Sequence, residues 1–188
     1  MTQLEHLLGY LKNTAQQDLK FFPGEHKNNV LAALSDAEWA GNPATRKSLG
    51  GSFVYFNRSC ISASCKTQNV VATAAANAEL MEVYRTVKQL VYLTGQLKEV
   101  GAKNLTTVLL TDSQSAVDAT KKAVSERSKH MAIYIHFIKE QLGKEFLIKH
   151  VNRDRNFADM LTKQSGQATF EQHWQAASSP FRWVHKLV

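Results

Sequence analysis

The amino-acid sequence predicts an α/β domain in which three sequential strands are followed by strands and helices in alternation. Three observations carry that prediction. Five short segments are β-branched, aromatic or apolar enough to be strands, and segments with helical spacing fall between the later ones. Turn residues separate the segments, whose order reads βββαβααβα. The sequence contains no internal repeat or low-complexity tract.

The elements follow in order. Leu4, Leu7, Leu8 and Leu11 recur at helical spacing and Phe21-Phe22-Pro23-Gly24 closes that segment, so residues 1–27 read as an amphipathic lead-in helix and a linker. From Asn29 to Trp39 the apolar run Val30-Leu31-Ala32-Ala33-Leu34 flows into Ser35-Asp36-Ala37-Glu38, which predicts a buried strand ending in acid. Gly50-Gly51 opens a second strand, Ser52–Phe56, and Asn57-Arg58 turns it into a third, Cys60–Ser64; these three should pair antiparallel. Val70 to Leu97 is free of Gly and Pro before Gly95, and it carries Ala72, Ala75, Ala76, Glu79, Val83 and Val87 close to one stripe. That spacing predicts a long helix with an acid inside its small-residue face.

A fourth strand, Leu105–Leu110, ends at Thr111-Asp112-Ser113, where Ser113 can cap a short helix from Gln114 to Lys122. Met131 to Leu142 is again helical and is stopped by Gly143; Phe146–Val151 is a short fifth strand, and Asn156–Lys163 a last helix bearing Asp159. Residues 28–165 therefore form the main domain. In the tail, residues 166–188, Phe170, Trp174 and Phe181 suggest packing on the body or on a partner.

Composition limits what such a domain can do. The 188 residues, 44% hydrophobic, suffice for one domain, which would bury about two-thirds of its unfolded surface. No stretch reaches the roughly 20 apolar residues of a membrane span, and residues 1–12 lack the zones of a secretory signal. The expectation is a soluble, intracellular protein. Cys60 and Cys65 have opposite parity on one strand, so they should face opposite sides of the sheet and stay reduced. A net charge of +7 and a pI near 9.4 suit a polyanionic partner. Much of the excess sits between Ala119 and Ser165, where ten Lys and Arg face five acids.

Asp36, Glu79, Asp112 and Asp159 each stand where a strand end or helix terminus would bring a carboxylate to one common point. Clustered carboxylates repel one another unless cations sit among them. Hard oxygen donors in that number suit divalent metal ions, and such a centre points to phosphodiester chemistry.

A family resemblance rests on Ser35-Asp36-Ala37-Glu38-Trp39-Ala40-Gly41 with Arg46-Lys47-Ser48, on Ala78-Glu79, and on Leu110-Thr111-Asp112-Ser113-Gln114-Ser115-Ala116. It extends through Arg127-Ser128-Lys129-His130, Ile133, His136-Phe137-Ile138 and Ala158-Asp159-Met160-Leu161-Thr162-Lys163. With these motifs the chain resembles the RNase H domain of copia-type LTR retrotransposon Pol polyproteins. The match spans about residues 7–163, and Leu8-Gly9-Tyr10-Leu11-Lys12 is similar to the family's helix linking reverse transcriptase to RNase H. Departures are few: Ala75-Ala76-Asn77 replace a Ser/Thr-Glu run, Leu80 an aromatic, Ser113 an Asn, Ala132 an acid, Tyr134 a base and Gln164 a Pro. None removes a carboxylate of the cluster.

The resemblance implies a ribonuclease H-like fold, its five-stranded mixed sheet having three antiparallel strands, then two parallel ones, flanked by helices. It implies an endonuclease that cuts the RNA strand of RNA:DNA hybrids during reverse transcription, leaving 5′-phosphate and 3′-hydroxyl ends. Two Mg²⁺ ions, or Mn²⁺, would be held by Asp36, Glu79, Asp112 and Asp159. Asp36 would bridge both ions, Glu79 and Asp112 would serve the leaving-group side, and Asp159 the water side. Arg46, Lys47, Ser113, Gln114, Lys121, Lys122, Arg127, Lys129 and His130 are the nucleic-acid-binding candidates. No histidine lies in the loop 152–156, so His130, His136 and His150 are assigned no catalytic role. Partners would be the hybrid and the reverse transcriptase of the same polyprotein, in the cytoplasm within virus-like particles or in the nucleus. Two alternatives stay open: a 3′–5′ exonuclease using Asp36 with Glu38, and a non-catalytic accessory domain that only binds nucleic acid or supports a reverse transcriptase.

Overall fold

The structure is a computed structural model that describes residues 3–16, 18, 20–22, 28–121, 129, 131–143, 146–164 and 166–178. Five strands, β1 (Asn29–Glu38), β2 (Leu49–Phe56), β3 (Ser59–Thr67), β4 (Leu105–Thr111) and β5 (Phe146–His150), form one sheet in the order β3-β2-β1-β4-β5. β1 pairs antiparallel with β2 and parallel with β4; β2–β3 is antiparallel and β4–β5 parallel. This is the mixed sheet expected. Among the described residues the helices are α1 (Gln3–Thr14), α2 (Ala75–Glu99), α3 (Gln114–Lys121), α4 (Ala132–Gln141), α5 (Asp159–Thr162) and α6 (Gln167–Ser178). No described helix is long and apolar enough to cross a membrane.

β1 is buried from Val30 to Ala37 because both of its faces are covered, which is why its run Val30–Leu34 is apolar without alternation. Leu31 and Ala33 pack with Val54 and Leu109 under Val83, Val87 and Leu90 of α2 and Ile135 and Ile138 of α4. Val30, Ala32 and Leu34 face the other way, with Phe53, Tyr55, Val108 and Leu110, onto Phe157, Ala158 and Ala177. Each fully buried Leu or Val contributes about 1.5–3 kcal/mol, so the central strand is fixed from two sides. Its carboxyl end is thereby a rigid platform. The hairpin turn works as read: Asn57, at φ 54°, takes the left-handed conformation that Asn tolerates, and its Oδ1 accepts from the Val30 N–H at 2.9 Å.

Several expectations need correction. The long helix starts at Ala75, not Val70, because the Trp39 indole N–H donates to the Ala72 carbonyl at 2.9 Å and Ala74 is extended (φ −154°, ψ 158°). The last helix of the main domain is only Asp159–Thr162, preceded by a 3-10 turn at Arg153–Arg155, since Asn156 (φ −88°, ψ 82°) commits its amide to tertiary bonds. The cysteines are free but do not face opposite ways. Pairing slips between Val54 and Tyr55, so that Tyr55 opposes Cys60 and Ile61 is skipped. Strand parity therefore switches; Cys60 packs with Tyr55's cluster, and the Cys65 thiol reaches the Leu161 carbonyl at 3.0 Å on that same face.

The described part of the tail adds helix α6, which the sequence reading did not specify. Tyr55 donates its hydroxyl to the Ala177 carbonyl at 3.0 Å, and His173 packs against Phe157 with ring centroids 6.2 Å apart. Phe170 meets Tyr10 of α1 edge-on at 6.2 Å, while Leu4, Leu7, Leu8 and Leu11 of α1 point outward and are exposed.

Candidate metal centre

The register of the parallel pair places two acids side by side. Ser35 of β1 lies opposite Thr111 of β4, so Asp36 and Asp112, each one residue further on, stand at adjacent carboxyl ends. Ligands of open α/β sheets bind at such ends, where the chain leaves the ladder. Glu79 arrives from above the sheet on the second turn of α2. Its approach is close because Ala37, Ala72 and Ala78 are the small residues at that contact. The acid inside the small-residue stripe is thus aimed at the end of β1.

Ligand oxygens of Asp36, Glu79 and Asp112 all lie within 4.8 Å of one another. Their electrostatics reflect burial first and that proximity second. Burial pushes the Glu79 carboxyl up to about 8, with the charges of Asp36 and Asp112 adding to the shift and Lys163 and the Ala37 N–H opposing it. Asp36, 0% exposed, is also raised, chiefly by burial, against the lowering pull of Thr162 and Lys163. Uncompensated carboxylates at this spacing are unstable, and a bound cation would reverse both shifts.

Asp159 does not join the trio directly. It opens α5, and its Oδ1 accepts from the Lys163 ammonium at 2.5 Å; the same ammonium lies 3.1 and 3.2 Å from the two oxygens of Asp36. Burial works against the Lys163 ammonium, but its bonds to Asp159 and Asp36 prevail and leave its pKa raised. Thr162 donates its hydroxyl to Asp36, and Arg153 approaches Asp159 at 3.8 Å. Asn156, 0% exposed, donates to the Ser35 carbonyl at 2.9 Å and to Asp112 Oδ1 at 2.8 Å, tying the loop after β5 to both strand ends.

Sequence reasoning assigned no role to Asn156, Thr162 or Lys163. One signal was available for the lysine: Asp159 and Lys163 are four apart, and in a helix that spacing sets opposite charges on one face. Asn156 and Thr162 gave none, since their partners come from other strands.

The site fits divalent cations. Its donors are all carboxylate oxygens, the chemistry Mg²⁺ and Mn²⁺ prefer. Moreover, Ser35 Oγ, Glu79 Oε2 and Asn156 Oδ1 are buried polar atoms with no hydrogen-bond partner among the described residues. Buried polar atoms ordinarily have partners, so three such atoms in the residues at this strand end mark a place where a ligand or ordered water belongs.

Of the nucleic-acid candidates, six lie among the described residues. Arg46 (φ 54°, exposed) and the half-buried Lys47 sit on the β1–β2 loop, which leaves the same end of β1 as Asp36. Ser113 Oγ caps α3 by accepting from the Ala116 N–H at 3.3 Å, and Gln114 donates its amide to Asp118 at 2.7 Å. Lys121 ends α3 and Lys129 is exposed, whereas Lys122, Arg127 and His130 lie outside the described residues. His150, at the end of β5, has its Nε2 3.1 Å from the Asp112 carbonyl. Glu38, the second acid of the exonuclease alternative, is outside the trio; its carboxylate folds back over Gly41, where an added Cβ would meet Oε2 at 2.6 Å.

No protein-family model matches the chain. It is similar to the "Retrovirus-related Pol polyprotein from transposon TNT 1-94" of Nicotiana tabacum, with 33% identity over 167 residues, covering 88% of this chain and 12% of that protein. The chain thus spans about an eighth of the length of that relative. Among solved structures it resembles the N-terminal RNase H domain of a Mycobacterium tuberculosis protein at a TM-score of 0.52 and 18% identity, covering 79% of this chain and 98% of that one. The metagenomic LC11 RNase H1, solved in complex with RNA/DNA hybrid, matches at a TM-score of 0.51 and 18% identity, over 72% of this chain and 94% of that one.

Proposed function

Because the chain is homologous to one segment of copia-type Pol polyproteins and has the RNase H fold, we propose that it is a metal-dependent endoribonuclease acting on the RNA strand of RNA:DNA hybrids. The single observation that carries this reading is the convergence of Asp36, Glu79 and Asp112 within 4.8 Å at the carboxyl ends of β1 and β4. Two Mg²⁺ ions, or Mn²⁺ in their place, would neutralise the scissile phosphate and supply a readily ionised water.

The residues divide the remaining work. Asp36, Glu79 and Asp112 would hold the cations, with Asp159 the fourth carboxylate at the rim. Asn156 orients Asp112, and the Ala37 N–H steadies Glu79. Arg46, Lys47, Lys121 and Lys129, with Lys122, Arg127 and His130, would grip phosphates and fix register on the duplex. The hybrid in the LC11 complex supports this choice of substrate. Residues 1–27 would lead in from a reverse transcriptase, residues 28–165 would form the nuclease and residues 166–188 its tail; the work would be done in the cytoplasm, within virus-like particles, or in the nucleus.

Incubation with a labelled RNA:DNA duplex in Mg²⁺ or Mn²⁺, beside single-stranded RNA, duplex RNA and duplex DNA, tests the reading. Internal cuts confined to the hybrid and abolished by Asp36→Asn are expected. Stepwise trimming from DNA ends would instead favour the exonuclease, a reading that the withdrawn position of Glu38 counts against. Tight hybrid binding with no cutting in either metal would favour the accessory role.

A further inference from the structure

The acidic centre has two unlike halves. Around Glu79 a buried carboxylate oxygen has no hydrogen-bond partner among the described residues. Around Asp36 both oxygens accept bonds: Oδ1 from the Lys163 ammonium at 3.1 Å, Oδ2 from the same ammonium at 3.2 Å and from the Thr162 hydroxyl. Lys163 also holds Asp159 at 2.5 Å, so one ammonium joins the two carboxylates that a cation on that side would need. Its side chain is 28% exposed, against 0% for Asp36, and its four-carbon stem gives it a route out to water.

We propose that Lys163 is a built-in counter-cation, lodged between Asp36 and Asp159 and required to swing aside before a divalent ion can bind both. The inference rests on the metal-centre reading above. A cation held by both Asp36 and Asp159 would stand where the Lys163 ammonium stands, in contact with both carboxylates, so occupancy by Lys163 competes directly with the metal. Binding should then be stepwise, first on the Glu79–Asp112 side and afterwards, more weakly, at Asp36–Asp159. If the lysine holds its place about nine-tenths of the time, it weakens the second step roughly tenfold.

Isothermal titration of the whole chain with Mg²⁺ and with Mn²⁺ reads this without any activity assay. Lys163→Met removes the competing ammonium and should tighten the weaker step by about tenfold. Lys66→Met, which removes a charge from an exposed position on β3, should leave both steps unchanged. A weaker step in Lys163→Met within about twofold of wild type, or an equal gain in Lys66→Met, overturns the proposal. Should Lys163→Met fail to fold, lysine ε-¹³C NMR of the wild type decides. The Lys163 resonance, assigned with Lys163→Arg, should move with the weaker step, and a resonance indifferent to metal overturns the inference. Absence of metal binding from wild type and variant alike overturns the metal-centre reading as well, whereas equal binding overturns this inference alone.

Discussion

Replacing Asp112 by Asn should make the metal-free protein more stable while ending its function. Two like charges no more than 4.8 Å apart, at an effective dielectric near 20, repel by roughly 3 kcal/mol or more. The substitution removes one of those charges and keeps an oxygen to accept the Asn156 amide. Allowing for solvent and for Lys163, the net gain should be about 1–3 kcal/mol. In a chain of 188 residues that corresponds to a rise in Tm of roughly 3–10 °C. The gain must depend on pH. Glu79 titrates at about 8, so at pH 6 it is neutral and repels nothing, whereas at pH 9 it is ionised and the relief is felt in full. Thermal unfolding followed by circular dichroism in EDTA at the two pH values gives the comparison. Adding Mg²⁺ should then raise the wild-type Tm more than that of the variant. A variant less stable than wild type at pH 9 in EDTA would refute the electrostatic reasoning, because it would mean that the cluster attracts rather than repels.

Other consequences follow from the same geometry. In EDTA the wild type should lose stability as pH rises from about 5 to about 8, because folded Glu79 keeps a proton up to about 8 that the unfolded chain releases near 4.5; Glu79→Gln should flatten that slope in urea titrations. Glu82 is 1% exposed and is ion-paired with Arg85, which also donates to Ser64 at 2.9 Å. Arg85→Ala should therefore cost about 3 kcal/mol in chemical denaturation, and a paired Glu82→Met, Arg85→Met replacement should recover most of it. A Cβ on Gly51 would meet Leu161 Cβ at 2.8 Å and Thr162 Cγ2 at 2.9 Å. Gly51→Ala should displace α5, destabilise the fold by about 1–3 kcal/mol, and weaken Mg²⁺ binding by titration calorimetry.

Strand β1 was legible because its apolar run Val30–Leu34 flows into Asp36, a pattern that places an acid at the end of a buried strand wherever the partners lie, whereas the arrangement of the sheet was implied by the family resemblance. Asp112 was legible for the same reason. Glu79 was readable because Ala residues around it signalled close helix–sheet approach, which Ala37, Ala72 and Ala78 confirm. What escaped depends on contacts between distant positions. The Trp39 indole claims the Ala72 carbonyl and delays α2; a skipped Ile61 reverses the parity of Cys60; Asn156 gives its amide to Ser35 and Asp112 instead of to a helix. Lys163 was in view as part of a motif, but its place between Asp36 and Asp159 follows from the packing of α5 over Gly51, which no local pattern encodes.

The most direct measurement is anomalous diffraction from crystals of the whole chain soaked in Mn²⁺. A manganese peak within coordinating distance, about 2.0–2.3 Å, of oxygens from Asp36, Glu79 and Asp112 is the expected result. Manganese bound elsewhere, or an acidic trio whose side chains turn away from one another in the diffraction density, would contradict the account.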